Sequence, residues 1–445
     1  MADDMLAAAV ISVIFITVFA GGEAVLRMWP ANPELSRKFV HCAGGITAIS
    51  FPYVLSSPWT VVLLAAAFAG IIALSRKMGF LRSVHGVART TSGAVYFPLA
   101  IAILFLLGHD HKPFYVIAML VLTVSDTLAA LAGSRYGSIA YDVEESYRTL
   151  EGSLVFFFAT YLCVHIPLLL MTDISRLQSV LVALIIALLV TGFEAVAIAG
   201  SDNLFVPLGT YFILTKMVRH DLAFTLEQTA ILFAIIAITV ALSFVQKVFK
   251  PSGLIGMILV NYSAWSLCNV YWFAPLLLAQ LLLFLIVFIF RRQVPEDITN
   301  YQVKVLFYTA SVPVLFIFAA NAADDYVWLY LPYLTAIVTQ IALIFYYFLS
   351  LLPAGRGGGR LSGPAAVLAA AGVIAAVPIL VYLSPPFLPA LGLVIAGAMS
   401  GSLLFRTLVG RYGGDDRVWT MRQRIRMLCS ALAAGAVFLL QPLFW

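Results

Sequence analysis

The sequence predicts an all-α protein, a polytopic transmembrane helical bundle of about 14–16 spans with both termini outside. Three observations predict it. Of the 445 residues, 62% are hydrophobic and 11% are charged, whereas soluble domains carry about 25% charged residues. Mean hydropathy is +1.02. Apolar runs of about 20 residues, enough to cross roughly 30 Å of hydrocarbon, recur along the whole chain.

The first run, 5–27, has no basic segment before it and no small-residue cleavage site after it, so a retained span is expected rather than a signal peptide. Runs 39–55, 59–75, 94–109, 113–133, 153–171 and 178–198 follow, separated by polar or Gly/Pro-containing breaks. Run 203–217 is short, as a re-entrant segment would be. After 228–246, the segment Lys247-Val-Phe-Lys-Pro-Ser divides the chain into expected domains 1–246 and 247–445. The second domain holds runs 253–271, 273–290, 302–320, 327–350, 364–383, 386–405 and 425–442.

Alternating these runs across a bilayer places nearly all of the 26 Lys and Arg residues on one side, leaving Lys112, Arg176, Lys216 and Arg219 on the other. The positive-inside rule makes the rich side cytoplasmic, so both termini face out and the plasma membrane is the expected location. The net charge of +5 belongs to these loops, and no basic domain offers a nucleic-acid surface. Cys42, Cys163, Cys268 and Cys429 form no CxxC pair, so neither a disulfide framework nor a cysteine metal site is indicated.

Chemistry-bearing residues crowd the inward ends of the first domain. Asp126, in Ser125-Asp126-Thr127, lies inside an apolar run, where an acid is costly and by default functional. Asp126, Ala130, Gly133 and Gly137 share one helical stripe. Such a lane admits backbone, nucleotide or metal. A small-residue packing face explains the glycines equally, but leaves Asp126 without a partner.

Next comes Arg148-Thr149-Leu150-Glu151-Gly152-Ser153, at the mouth of a span. Thr149 or Ser153 caps that helix and Glu151 complements its dipole, or Arg148 and the helix N-terminus hold phosphate while Glu151 helps hold a cation. Glu194 is another acid within a span, and Asp202-Asn203 lies at the same level. Three acidic groups, namely Asp126, Glu151, and Glu194 with Asp202, are thus expected at one membrane depth.

Mg²⁺ takes oxygen ligands, often one or two carboxylates plus substrate phosphates, which makes Asp126, Glu151 and Glu194 the candidate metal ligands. A proton or ion pathway would use the same acids. Arg37, Lys38 and His41 also face inward, as phosphate contacts and a base or as interfacial anchors. Arg89-Thr90-Thr91-Ser92-Gly93 with Tyr96 is a further polar group. No Walker loop, dinucleotide fingerprint, HExxH or GxSxG is present, so a nucleotide site would have to be built from helix ends and acids.

Together these segments resemble the CTP-dependent isoprenoid-alcohol kinases, the dolichol and phytol kinase family related to membrane phosphatidate cytidylyltransferases. The pieces are Glu34-Leu-Ser-Arg37-Lys38-Phe-Val-His41, Arg89 through Leu99, Ser125-Asp126-Thr127 through Gly137, Thr149-Leu-Glu151-Gly152-Ser153, and Asp202-Asn203 with Pro207. Order and spacing match over about 30–215. Two departures keep a cation in place: Arg148 stands where the family commonly has Lys, and Gly133-Ser-Arg135-Tyr-Gly137 replaces a Gly-Arg-Gly ending.

The second half resembles the integral membrane family that contains phytyl-phosphate kinase, through Asn300-Tyr-Gln302-Val303 and Gly355 to Gly363. That family's intramembrane acidic motif has no counterpart around Tyr333 to Phe348, so a non-catalytic companion is expected.

The resemblance implies transfer of the γ-phosphate of CTP, with Mg²⁺, to a long-chain lipid alcohol at the cytoplasmic leaflet. It assigns catalysis to Asp126, Glu151, Arg148 and His41. It assigns nucleotide binding to Arg37, Lys38, Gly133, Arg135, Gly137, Thr149, Gly152, Asp202 and Asn203. The expected partners are the membrane lipid and the nucleotide, with a homodimer as a further expectation. A CDP-lipid synthase releasing pyrophosphate is the second enzymatic reading, and an ion or solute transporter the reading from another class.

Overall fold

A computed structural model describes residues 2–30, 33–79, 81, 83, 92–143, 146–246, 250–290, 303–350, 370, 372, 374, 387–409 and 416–443. These are helical almost throughout, with one two-stranded antiparallel hairpin. Among them ten helices are long and apolar enough to cross a bilayer, and Gly93–Gly108 and Tyr330–Tyr346 are shorter apolar helices. The chain is therefore an all-α, multi-pass membrane protein.

Four expected spans account for the shorter tally. Run 39–55 breaks at Ser50, where Phe51-Pro52 opens a separate short helix, as the missing N–H of proline favours at a first turn. Runs 203–217 and 253–271 become continuous helices of 17 residues each, Asp202–Val218 and Pro251–Leu267. Run 364–383 lies outside the described residues apart from 370, 372 and 374. The Arg89-Thr90-Thr91, Asn300-to-Gln302 and Gly355-to-Gly363 motifs lie outside them as well.

The chain divides into two compact units, Met1–Ala230 and Ile231–Trp445. The first contains α1 (Ala2–Met28), α2 (Pro33–Ile49), α3 (Phe51–Val54), α4 (Pro58–Met78), α5 (Gly93–Gly108) and α6 (Lys112–Tyr136). The hairpin of β1 (Ala140–Val143) and β2 (Ser146–Thr149) follows, then α7 (Leu150–Met171), α8 (Arg176–Val196) and α9 (Asp202–Val218). Helix α10 (Leu222–Gln246) carries the division within it.

Helix α6 is central to this unit and is touched by α2, α5, α7 and α9. Its core is apolar, built on Phe51, Val61, Leu104, Phe105, Tyr115 and Leu122. The one polar tip among these, Tyr115 OH, donates to Ala48 O at 3.0 Å. At the N-terminus, Asp4 accepts from Ser56 N and Ser57 N at 3.0 and 2.8 Å, satisfying amides that precede α4.

The second unit contains α11 (Pro251–Leu267), α12 (Val270–Phe290), α13 (Val303–Ala323), α14 (Tyr330–Ser350), α15 (Phe387–Val409) and α16 (Asp416–Leu440). Its core holds Trp272, Tyr330 and Tyr333, and both tyrosine hydroxyls donate to carbonyls at the start of α12. Asn261 and Gln280 exchange two amide hydrogen bonds, at 3.0 and 2.8 Å, between α11 and α12. The acid-free stretch Tyr333 to Phe348 lies within α14, and Asp325 in the preceding turn accepts from Trp328 N at 2.9 Å.

Candidate active site

The site begins where α2 crosses α6. A β-carbon on Gly45 would stand 2.1 Å from Thr123 Oγ1, so only glycine allows the helices this close. The crossing carries Lys38 and His41, one turn apart on α2, onto Asp126 of α6. Lys38 Nζ donates to Asp126 Oδ2 at 2.5 Å and to the Asp126 carbonyl at 3.2 Å. The Lys38 side chain is 4% exposed and that of Asp126 15%. A buried lysine needs such a pairing, because an isolated charge away from water is far costlier than a paired one.

His41 Nε2 lies 3.1 Å from Leu122 O and 3.2 Å from Asp126 Oδ2. Both are acceptors, so the ring proton sits on Nε2 and Nδ1 keeps its lone pair. Leu122 belongs to a π-helical stretch, Val121–Ser125, that leads straight into Asp126. A wider turn disturbs the regular i to i−4 ladder and lets a carbonyl take an outside donor. Asp126 Oδ2 thus serves both Lys38 and His41, while Oδ1 accepts no hydrogen bond from the described residues.

A second cluster is held by the hairpin. Arg148, on β2, donates from Nη1 to Glu194 Oε1 at 2.5 Å and from Nη2 to Asp202 Oδ2 at 3.3 Å. Burial works against its charge, but Glu194 and Asp202 outweigh that and hold the guanidinium above its ordinary range. Its Nε is buried and without a hydrogen-bond partner among the described residues. The charge of Asp126 reaches both Arg148 and Arg37, which joins the two groups into one electrostatic cluster. Arg37 itself pairs with Glu34, at 2.5 Å.

The remaining expected residues sit around this centre. Thr149 caps α7 by accepting from Gly152 N at 3.2 Å, so the capping reading describes its observed contact. Glu151 accepts from Ser138 N at 2.9 Å, from Ser138 Oγ and from Ile139 N, which ties the loop after α6 to the start of α7. The glycine stripe is filled by the Thr149 side chain: a β-carbon on Gly133 would stand 2.8 Å from Thr149 Oγ1, and one on Gly137 would stand 2.5 Å from Thr149 Cγ2. Gly152 lies on the other side of the same contact, 3.2 Å from Ala129 O by the same measure. Arg135 is exposed, over the ring of Tyr136. Asn203 donates to Gly93 O at 2.9 Å and, with Ser92 N on Ala199 O at 2.9 Å, fixes the start of α5 to the turn before α9.

The acids therefore do not converge on a single point. Asp126 is held by Lys38 and His41, Glu194 and Asp202 by Arg148, and Glu151 by Ser138. Among the described residues no three His, Cys, Asp or Glu side chains form a metal-holding group. A Mg²⁺ carried mainly by substrate phosphates asks for less, one or two carboxylates, and Asp126 Oδ1 is an available one. Sequence reasoning singles out Lys38, His41 and Asp126 separately. It misses Leu122, Ser138 and the π turn, for which the only local sign is the pair Gly44-Gly45 on the facing helix.

A cleft opens on this cluster. Arg37, His41 and Asn203 line its polar end, and the rest of its wall is apolar or aromatic. Fold and site thus define a class, a multi-pass membrane protein whose ion-paired cluster stands at the mouth of an apolar cleft. The chain is 34% identical over 196 residues to a phytol kinase of Synechocystis sp., a match covering 43% of this chain and 82% of that protein. The chain belongs to the phytol kinase family, and it is a kinase of the isoprenoid-alcohol type. No family model and no solved structure matches it.

Proposed function

We propose that the protein transfers the γ-phosphate of CTP to the hydroxyl of a long-chain isoprenoid alcohol of the phytol, geranylgeraniol or polyprenol type, at the cytoplasmic face of the plasma membrane. One observation carries the reading: His41 belongs both to the wall of the apolar cleft and to the Asp126 ion-pair cluster. A lipid alcohol lying in the cleft presents its hydroxyl to Nδ1 of His41.

Phosphoryl transfer needs positioning and charge neutralisation more than covalent chemistry. Asp126 and the Leu122 carbonyl hold the proton of His41 on Nε2, so Nδ1 takes the hydroxyl proton as the alcohol oxygen attacks the γ-phosphorus. The bond to the β-phosphate oxygen breaks, and CDP leaves. Lys38 and Arg37 supply positive charge at the polar end. Arg148, steadied by Glu194 and Asp202, offers its remaining Nη–H donors to the nucleotide. Asp126 would hold a Mg²⁺, which would supply neutralisation of the charge that develops on the phosphate.

The test is purified protein in detergent or nanodiscs with γ-labelled CTP and a panel of alcohols. Labelled lipid phosphate and unlabelled CDP are expected. Pyrophosphate with a CDP-lipid product would instead establish a cytidylyltransferase, and no transfer to any alcohol overturns the kinase reading.

A further inference from the structure

The cleft extends well beyond the reacting groups. From His41 and Arg37 it continues between α1, α2, α4 and α5 to Phe51 and Val61, which are 3% and 0% exposed. Those two residues belong to the packed core around Leu104 and Tyr115, so the far end of the cleft is closed by protein. On α4 its wall runs from Ile72 down to Val61, about 16 Å at 1.5 Å per residue. Ala65, a small residue, lines the middle, where a larger side chain would project into the cavity.

We propose that this cleft is the tail-binding channel for the isoprenoid alcohol, and that Phe51 and Val61 at its closed end, with Ala65 midway, set the chain length accepted. The occupant must be apolar and flexible and must carry a polar group at one end, because Arg37, His41 and Asn203 are gathered at one end alone. An extended hydrocarbon advances about 1.1 Å per bond, from about 3.4 Å per three-bond residue, so about 16 Å holds about three to four isoprene units. Longer polyprenols would not fit with the hydroxyl at His41 and the tail within the closed end. The inference rests on the proposed kinase reading for its assay and on the cavity alone for its binding test.

Two measurements separate the two. With geraniol, farnesol, geranylgeraniol and a long polyprenol as acceptors, wild-type kcat/KM is expected to peak at farnesol or geranylgeraniol. Ala65→Phe should cut the geranylgeraniol-to-geraniol ratio by at least about tenfold, and Ala65→Leu, a milder filling, should move it the same way. Phe51→Ala should shift preference toward longer chains. An unchanged ratio in both folded Ala65 variants overturns the proposal while leaving the kinase reading intact. Independently of activity, a geranylgeraniol analogue with a terminal diazirine should photolabel wild-type residues 51–65, and excess geranylgeraniol should protect them. Labelling confined to the outer bundle surface would overturn the proposal even in a protein that transfers no phosphate.

Discussion

Lys38 and Asp126, 88 residues apart in sequence, meet at 2.5 Å, and the same carboxylate oxygen lies 3.2 Å from His41. The pair explains how an acid and a lysine are both tolerated in so apolar a chain. Removing one partner leaves the other charged and buried, at a cost of about 3–5 kcal/mol, whereas removing both is far less costly. Lys38→Met and Asp126→Asn are each expected to lower the unfolding temperature in detergent. The double variant should regain most of that loss while activity stays absent, because the site keeps neither charge. Thermal unfolding beside a labelled-CTP assay checks both halves.

The proton on Nε2 of His41 sets a second expectation. His41→Gln can still place an amide N–H toward Leu122 O, so stability should change little, but it offers no base. Loss of general-base catalysis lowers kcat by about 10²–10⁴-fold, and the alcohol KM should move much less. Steady-state kinetics distinguish this from a packing defect, which would lower the amount of folded enzyme instead.

Arg148 uses two guanidinium arms on two different acids, a fork that lysine cannot copy. Arg148→Lys is therefore expected to raise the nucleotide KM although the charge is kept, and Arg148→Ala should also destabilise by leaving Glu194 buried without its cation. Pairing Arg148→Ala with Glu194→Gln should restore stability without restoring nucleotide affinity. Isothermal titration with CTP, set beside thermal unfolding, reads the two effects separately.

The sequence makes some of this legible and hides the rest for physical reasons. Hydropathy exposes the long spans, because each must satisfy the bilayer along its own length. Asp126 and Glu194 stand out because charges in apolar runs are rare, and Arg148 because it stands at the mouth of a span. Their pairings do not stand out: the Lys38–Asp126 contact depends on how closely α2 and α6 approach, which Gly45 decides through three-dimensional packing. The stripe of Ala130, Gly133 and Gly137 shows the same ambiguity from the other side. It is legible as a lane of small residues, but only the fold shows that the start of α7 fills it. Glu151 resembles a metal ligand in sequence, and in the fold it anchors the Ser138 loop.

That filled lane yields a contrast between glycines. Gly133→Ala places a β-carbon 2.8 Å from Thr149 Oγ1, the atom that caps α7, whereas the same change at Gly70 meets nothing within 4 Å. Overpacking of this kind costs about 1–3 kcal/mol, so Gly133→Ala should lower the unfolding temperature and Gly70→Ala should not. The nucleotide KM of whatever Gly133→Ala folds should stay near wild type, since the crowded atom is the cap of α7. A large rise in KM at full stability would mean that the nucleotide itself passes along the stripe.

Metal removal separates the roles of the acids most directly. Asp126, Glu194 and Asp202 are already paired with Lys38, His41 and Arg148, and Glu151 with Ser138. Each of these carboxylates has a donor of its own, so the fold is expected to stand without a cation. Chelation with EDTA is expected to abolish phosphate transfer while leaving the unfolding temperature unchanged, and added Mg²⁺ should restore activity fully. Structural metal sites behave otherwise, because the free energy of metal binding is then part of the free energy of folding. A marked fall in unfolding temperature on chelation would show that a metal holds these helices together and that the observed ion pairs are insufficient to do so.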